Sequence, residues 1–122
     1  MTIVLPFFRV YLPPLIYMAA IFFFSAQPTV ELPFLDQPSV DKLYHTLEYS
    51  ALGYLLLRAL EQGFRMQGKW MLILAVLITA LYGWSDEIHQ LFVPGRYYSY
   101  WDLTADSLGG ALGAWIYLKL RL

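Results

Sequence analysis

Residues 70–92, WMLILAVLITALYGWSDEIHQLF, decide the fold. Met71 to Trp84 is apolar apart from Thr79 and Gly83. With its continuation to Phe92, it matches the ~20 residues that a helix needs to cross a hydrocarbon core roughly 30 Å thick. The last turns differ in kind, because Asp86, Glu87, His89 and Gln90 crowd together before Pro94 and Gly95 break the helix. A span that is apolar in its body and ionisable at one end reads as a membrane helix whose polar end carries recognition or chemistry. The charges continue past the break, so that Asp86, Glu87, His89, Gln90, Arg96, Asp102 and Asp106 gather between two apolar segments.

The rest of the chain fits that class. Of its 122 residues, 59% are hydrophobic and 14% charged, against about 25% charged in soluble domains, so most of the surface cannot be meeting water. The length suits one domain. A formal net charge of -1 leaves no basic surface to neutralise phosphates, which argues against a nucleic-acid partner. With no cysteine, disulfides, thiol catalysis and cysteine-ligated metal are excluded.

Helix one covers about residues 10–26, apolar from Val10 to Phe24, with Pro13 and Pro14 tolerated in its first turn. Ser25 and Gln27 close it before Pro28. Arg9 is the only basic side chain ahead of the run and bulky aromatics fill its end, which argues against a cleaved signal peptide. Residues 28–41 hold Pro28, Pro33 and Pro38 with Glu31, Asp36 and Asp41, and read as an acidic loop. Helix two, about 42–60, is entered through Ser39 or Asp41 as N-cap and carries His45 and Glu48 near its start. A short basic connection with Arg65 and Lys69 leads to helix three, about 70–92. Tyr97 to Trp101 suit an aromatic belt at the membrane surface. Helix four, about 102–119, ends in Lys119 and Arg121.

Basic residues set the orientation. Arg58 to Lys69 and the Lys119/Arg121 tail are basic, whereas the first loop is acidic until Lys42, so the positive-inside rule places both termini and the second loop in the cytoplasm. The expected fold is therefore an all-α, integral-membrane four-helix bundle in one domain, with its polar residues in one layer at the outer end. At a hundred degrees per residue, Lys42, His45, Tyr49 and Gly53 share a face of helix two. Thr79, Tyr82, Asp86, His89 and Gln90 share one on helix three, which leaves Glu87 to the side as a solvated residue. Asp102, Asp106, Gly109 and Gly113 share one on helix four, where the glycine pair forms a small-xxx-small packing face. Tyr49 and Tyr82 read as core aromatics rather than nucleophiles.

Four pieces of the chain together resemble the VanZ-like membrane proteins: SAQP at 25–28, DKLYHTLEYSALG at 41–53, SDEIHQLFVPGR at 85–96 and WDLTADSLGGALG at 101–113. They span all four helices in the family's order and approximate spacing. The matching polar positions are Ser25, Gln27, Lys42, His45, Tyr49, Asp86, Glu87, Gln90, Arg96, Asp102 and Asp106, the last standing where the family often has asparagine. What the resemblance implies is a small multi-pass protein of the bacterial cell (inner) membrane. A founding member is linked to resistance to the lipid-tailed glycopeptide teicoplanin, and no settled reaction comes with the family.

The first functional expectation is a cell-envelope protein that acts on or binds a membrane lipid headgroup or an amphipathic lipoglycopeptide at the outer leaflet. In an enzyme, His45 and Asp86 exchange protons, Asp102 orients His45 or a water, and Arg96 holds an anion. Lys42, Tyr49, Gln90, Asp106 and Gln27 complete the expected binding shell. A non-catalytic binding or accessory protein would use the same network without turnover, so enzyme and binder stay open. Proton-coupled transport is the third class, disfavoured because the polar residues stop near Thr79 and Gly53. No cofactor is expected. A metal centre from His45, Asp86 and Asp102 lacks any spacing as strong as a paired-histidine motif, so no metal is assigned.

Overall fold

A computed structural model of the protein describes residues 7–25, 38–93 and 100–121. These residues are helical throughout, apart from short turns. A wider π-helical turn, Phe7–Tyr11, runs directly into α1, Leu12–Ser25. Then follow α2, Pro38–Gln62, α3, Gly68–Gln90, and α4, Tyr100–Leu120. α2 is described from Pro38, ahead of Lys42, so the backbone of Ser39 and Asp41 already belongs to the helix. Proline at a first helical position has its φ preset and lacks an N–H that would be unsatisfied there anyway. The turn into α3 uses left-handed backbone at Arg65 and Gly68.

α2 and α4 form the most intimate pair, and α3 packs against both. The cause lies in the small residues of α4. A Cβ at Gly109 would strike the backbone of Thr46, and one at Gly113 would strike the backbone of Ser50, so the two helices touch through their main chains. In lipid, where apolar surface gains little by leaving its surroundings, such close packing supplies the association that burial supplies in water. Above this seam, Tyr49, Leu52, Leu56, Leu57 and Leu60 of α2 meet Met71 and Ala75 of α3 and Ala114 and Tyr117 of α4, with Ile21 of α1 at the edge. α1 is tied in by two hydrogen bonds to backbone carbonyls: Tyr17 donates to Glu48 (2.8 Å), and Tyr82 donates to Met18.

The outward faces are apolar. Phe22, Phe23 and Phe24 on α1, Ile73, Leu77 and Leu81 on α3, and Leu108, Leu112 and Trp115 on α4 are all exposed, while the acidic Asp86, Glu87, Asp102 and Asp106 lie inside. Apolar faces outside and carboxylates inside are the arrangement that a bundle embedded in lipid would have. Phe7–Ser25, 19 residues, and Gly68–Gln90, 23 residues, are long and apolar enough to cross a membrane. α2 and α4 are as long but carry more polar side chains, and those of α4 that lower its hydropathy, Asp102 and Asp106, face inward.

Candidate functional site

The glycine seam that brings α4 against α2 also sets the site. One and two turns before Gly109, Asp106 and Asp102 are placed opposite His45 and Lys42. Lys42 forms an ion pair with Asp102. His45 Nδ1–H donates to Asp106 Oδ1 (2.9 Å), and His45 Nε2 faces Asp102 Oδ2 at 3.8 Å. Asp106, rather than Asp102, is thus the carboxylate that orients the imidazole. Its side chain is wholly buried, with a relative exposure of 0%.

α3 closes the layer from the other side. Asp86 is buried and its Oδ2 accepts a long hydrogen bond from Tyr49 (3.4 Å), at the weak end of the range. Ser25 of α1 lies beside the same carboxylate. Gln90 is buried one turn further on. Asp106 leans over Gly83, where an added Cβ would lie 2.9 Å from Oδ2, so the missing side chain makes room for the carboxylate. Tyr49 is fully buried and joins the core, as its aromatic bulk suggests.

Glu87 corrects the sequence reading. Instead of a solvated residue beside the polar stripe, it is completely buried, and one of its oxygens lies with donor atoms of His45 and Asp106, all within 4.8 Å of one another. The inward face of α3 runs through Met71, Ala75, Thr79, Gly83, Asp86, Glu87 and Gln90. Of the expected stripe, Thr79, Asp86 and Gln90 lie on this face, whereas Tyr82 and His89 are only half-buried beside it. His89 instead stacks on Phe22 of α1, ring centres 4.3 Å apart. Gly83 was the missing signal, since a glycine one turn before Glu87 marks where another helix approaches. Gln27 and Arg96 lie outside the described residues, as do Pro94 and Gly95; Tyr100 and Trp101 are exposed.

The opposite end of the bundle is different. Arg121 pairs with Glu61, which also accepts a hydrogen bond from Tyr117 (2.8 Å). Beside them, Arg65, Met66, Gln67, Gly68 and Met71 help to line an open groove of about 540 Å³. Lys69 lies over Trp70 and Lys119 over Trp115, each with its ammonium 5.6 Å from the ring centre. Basic and aromatic side chains paired in this way are typical anchors at a membrane interface.

The polar layer can therefore hold and move protons between an imidazole and several carboxyls, and it can offer Lys42 and its partners to a polar group. No curated protein and no solved structure matches the chain. A family model, VanZ/LLP1, matches residues 7–121 and so takes in all four helices and every described residue of the polar layer. This helical membrane protein belongs to the VanZ/LLP1 family.

Proposed function

We propose that the layer built on His45, Asp86, Asp102 and Asp106 receives the polar part of an amphipathic cell-envelope molecule, either a lipid headgroup or the acyl-bearing region of a lipoglycopeptide. The single observation behind this reading is the hydrogen-bonded charged network at one end of a bundle whose outer faces are apolar. Acyl chains would lie along those faces while the headgroup meets the network. In this reading both termini are cytoplasmic, the layer faces the outer leaflet, and Arg96 clamps an anionic group. Proton exchange between His45 and Asp106 would serve an enzyme. Lys42 and Gln90 would serve recognition in either an enzyme or a binder, with Tyr49 holding Asp86 from the core behind them.

The test compares wild type with His45→Ala, Asp86→Asn and Arg96→Ala, each verified as inserted and folded. Mass spectrometry of lipid extracts and teicoplanin susceptibility are the readouts. The reading expects one lipid species or the susceptibility to change with wild type expressed and to revert in all three variants. Folded variants indistinguishable from wild type in both assays would reduce the network to architecture.

A further inference from the structure

His45, Glu87 and Asp106 converge from three helices. One donor atom from each lies within 4.8 Å of the others, and all three residues are buried. Ligands held about 2.1 Å from a common ion at tetrahedral angles are about 3.4 Å apart, so the triple closes on one ion once its wider separations shrink by up to about 1.4 Å. His45 Nδ1 and Asp106 Oδ1 are already 2.9 Å apart. That contact is a hydrogen bond, and a cation taking its place would displace the proton between the two atoms.

A second observation points the same way. Asp106 Oδ2 has no hydrogen-bond partner among the described residues although the side chain is wholly buried. It is turned onto α3 at Gly83, one turn before Glu87. A buried carboxylate oxygen without a donor is costly, and a cation would supply its missing partner. Lys42, the nearest ammonium on α2, is engaged by Asp102. One imidazole and two carboxylates form a nitrogen–oxygen donor set suited to Zn²⁺ or Mn²⁺ rather than to thiolate-seeking Cu⁺ or to the all-oxygen sites of Ca²⁺.

We propose that His45, Glu87 and Asp106 bind one divalent transition-metal ion of the Zn²⁺ class within the helix bundle. The proposal stands on these donors and not on the headgroup reading, because metal uptake is read without any lipid or glycopeptide. Tag-free protein in detergent, stripped with chelator and titrated with ZnCl₂, takes up about one ion per chain by elemental mass spectrometry and unfolds at a higher temperature with Zn²⁺ than with chelator. Glu87→Gln and His45→Gln, both close in shape to the original, lower the affinity by about 100-fold or more. Glu61→Gln, at the far end, leaves it unchanged. No uptake by folded wild type, or equal uptake by folded Glu87→Gln, would overturn the proposal. Should both variants misfold, Co²⁺ added to wild type decides: visible absorption of a protein-bound nitrogen–oxygen site supports it, and the spectrum of aqueous cobalt refutes it.

Discussion

Replacing Gly83 with alanine asks whether Asp106 is held in place by the packing of α3 on α4. The new Cβ would lie 2.9 Å from Asp106 Oδ2, 3.0 Å from its Cβ and 3.4 Å from its Cγ. Comfortable contacts fall at about 3.5–4.0 Å, so relief requires a shift of roughly 0.5–1 Å. Rotating the carboxyl cannot provide it, because the Cβ of Asp106 is fixed to the backbone of α4. That backbone is in turn locked against α2 through Gly109 and Gly113. α3 must therefore move away.

Overpacking of this kind costs about 1–3 kcal/mol. A displaced carboxyl also weakens its 2.9 Å bond to His45, and a bond to a charged partner is worth about 1.5–3 kcal/mol when lost completely. Alanine regains up to about 1 kcal/mol over glycine in a helix. The expected net effect of Gly83→Ala is a destabilisation of about 1–3 kcal/mol. Thermal unfolding in mild detergent, followed by tryptophan fluorescence, measures it. In an Asp106→Gly background the clash disappears, and Gly83→Ala should become neutral or stabilising; the difference is the coupling between the two sites. A Gly83→Ala protein as stable as wild type would refute the packing argument, and so would a penalty that persists without the Asp106 side chain.

Gly113→Ala should be worse, at about 3 kcal/mol or beyond, because its Cβ would overlap the backbone carbonyl of Ser50 far more deeply than a Cβ at Gly83 overlaps Asp106; loss of the folded monomer on gel filtration checks this. Asp106→Asn should cost more than Asp102→Asn. Asp106 is 0% exposed and bonded to His45, and a charged hydrogen bond there is worth about 1.5–3 kcal/mol. Asp102 pairs with a Lys42 side chain that is 33% exposed, which limits the loss to about 1 kcal/mol. Equal melting temperatures for these two variants would count against the ranking.

Much of this arrangement could be read from the sequence because glycine and charge are rare enough here to be informative. Asp102, Asp106, Gly109 and Gly113 share a helical face, and the same spacing that predicts close packing for the glycines brings the aspartates inside. His45 and Tyr49 follow, since the helix touching those glycines must present the opposite face. Helix ends were less legible: α2 is described from Pro38, ahead of the residues that look like caps. The inward face of α3 is only partly legible from polarity, which finds Thr79, Asp86 and Gln90 but leaves Glu87 outside. Where lipid is the solvent, polar residues mark the inside, but so does a glycine, and only Gly83 separates the true face carrying Glu87 from the neighbouring one carrying His89. The partner of His45 was ambiguous for a similar reason. Asp102 and Asp106 are one turn apart on one face, and choosing between them depends on how far α4 slides along α2, which the glycine contacts fix and the periodicity does not.

The two ends of the bundle bear on what the polar layer can do. Near α2's start, Asp86, Glu87, Asp102 and Asp106 outnumber the described cations beside them; at its other end Arg65 and Arg121 surround Glu61. Between the two lie Leu52, Leu56, Leu57, Ala75 and Ala114, closely packed and buried. From Gly53 to Glu61 the rise along α2 is about 12 Å, several times the length of a hydrogen bond, and the buried Tyr117 hydroxyl, bonded to Glu61, belongs to the far end of that stretch. A proton or an ion crossing the bundle would need a conformation that parts these helices, and the glycine contacts of α2 with α4 resist such parting. In the function proposed above, chemistry in the polar layer would therefore begin and end on one side. A ligand of the kind proposed, meeting His45 and Asp106, would enter and leave at the end where Tyr100 and Trp101 are exposed, and a proton taken up by His45 would return to that same side.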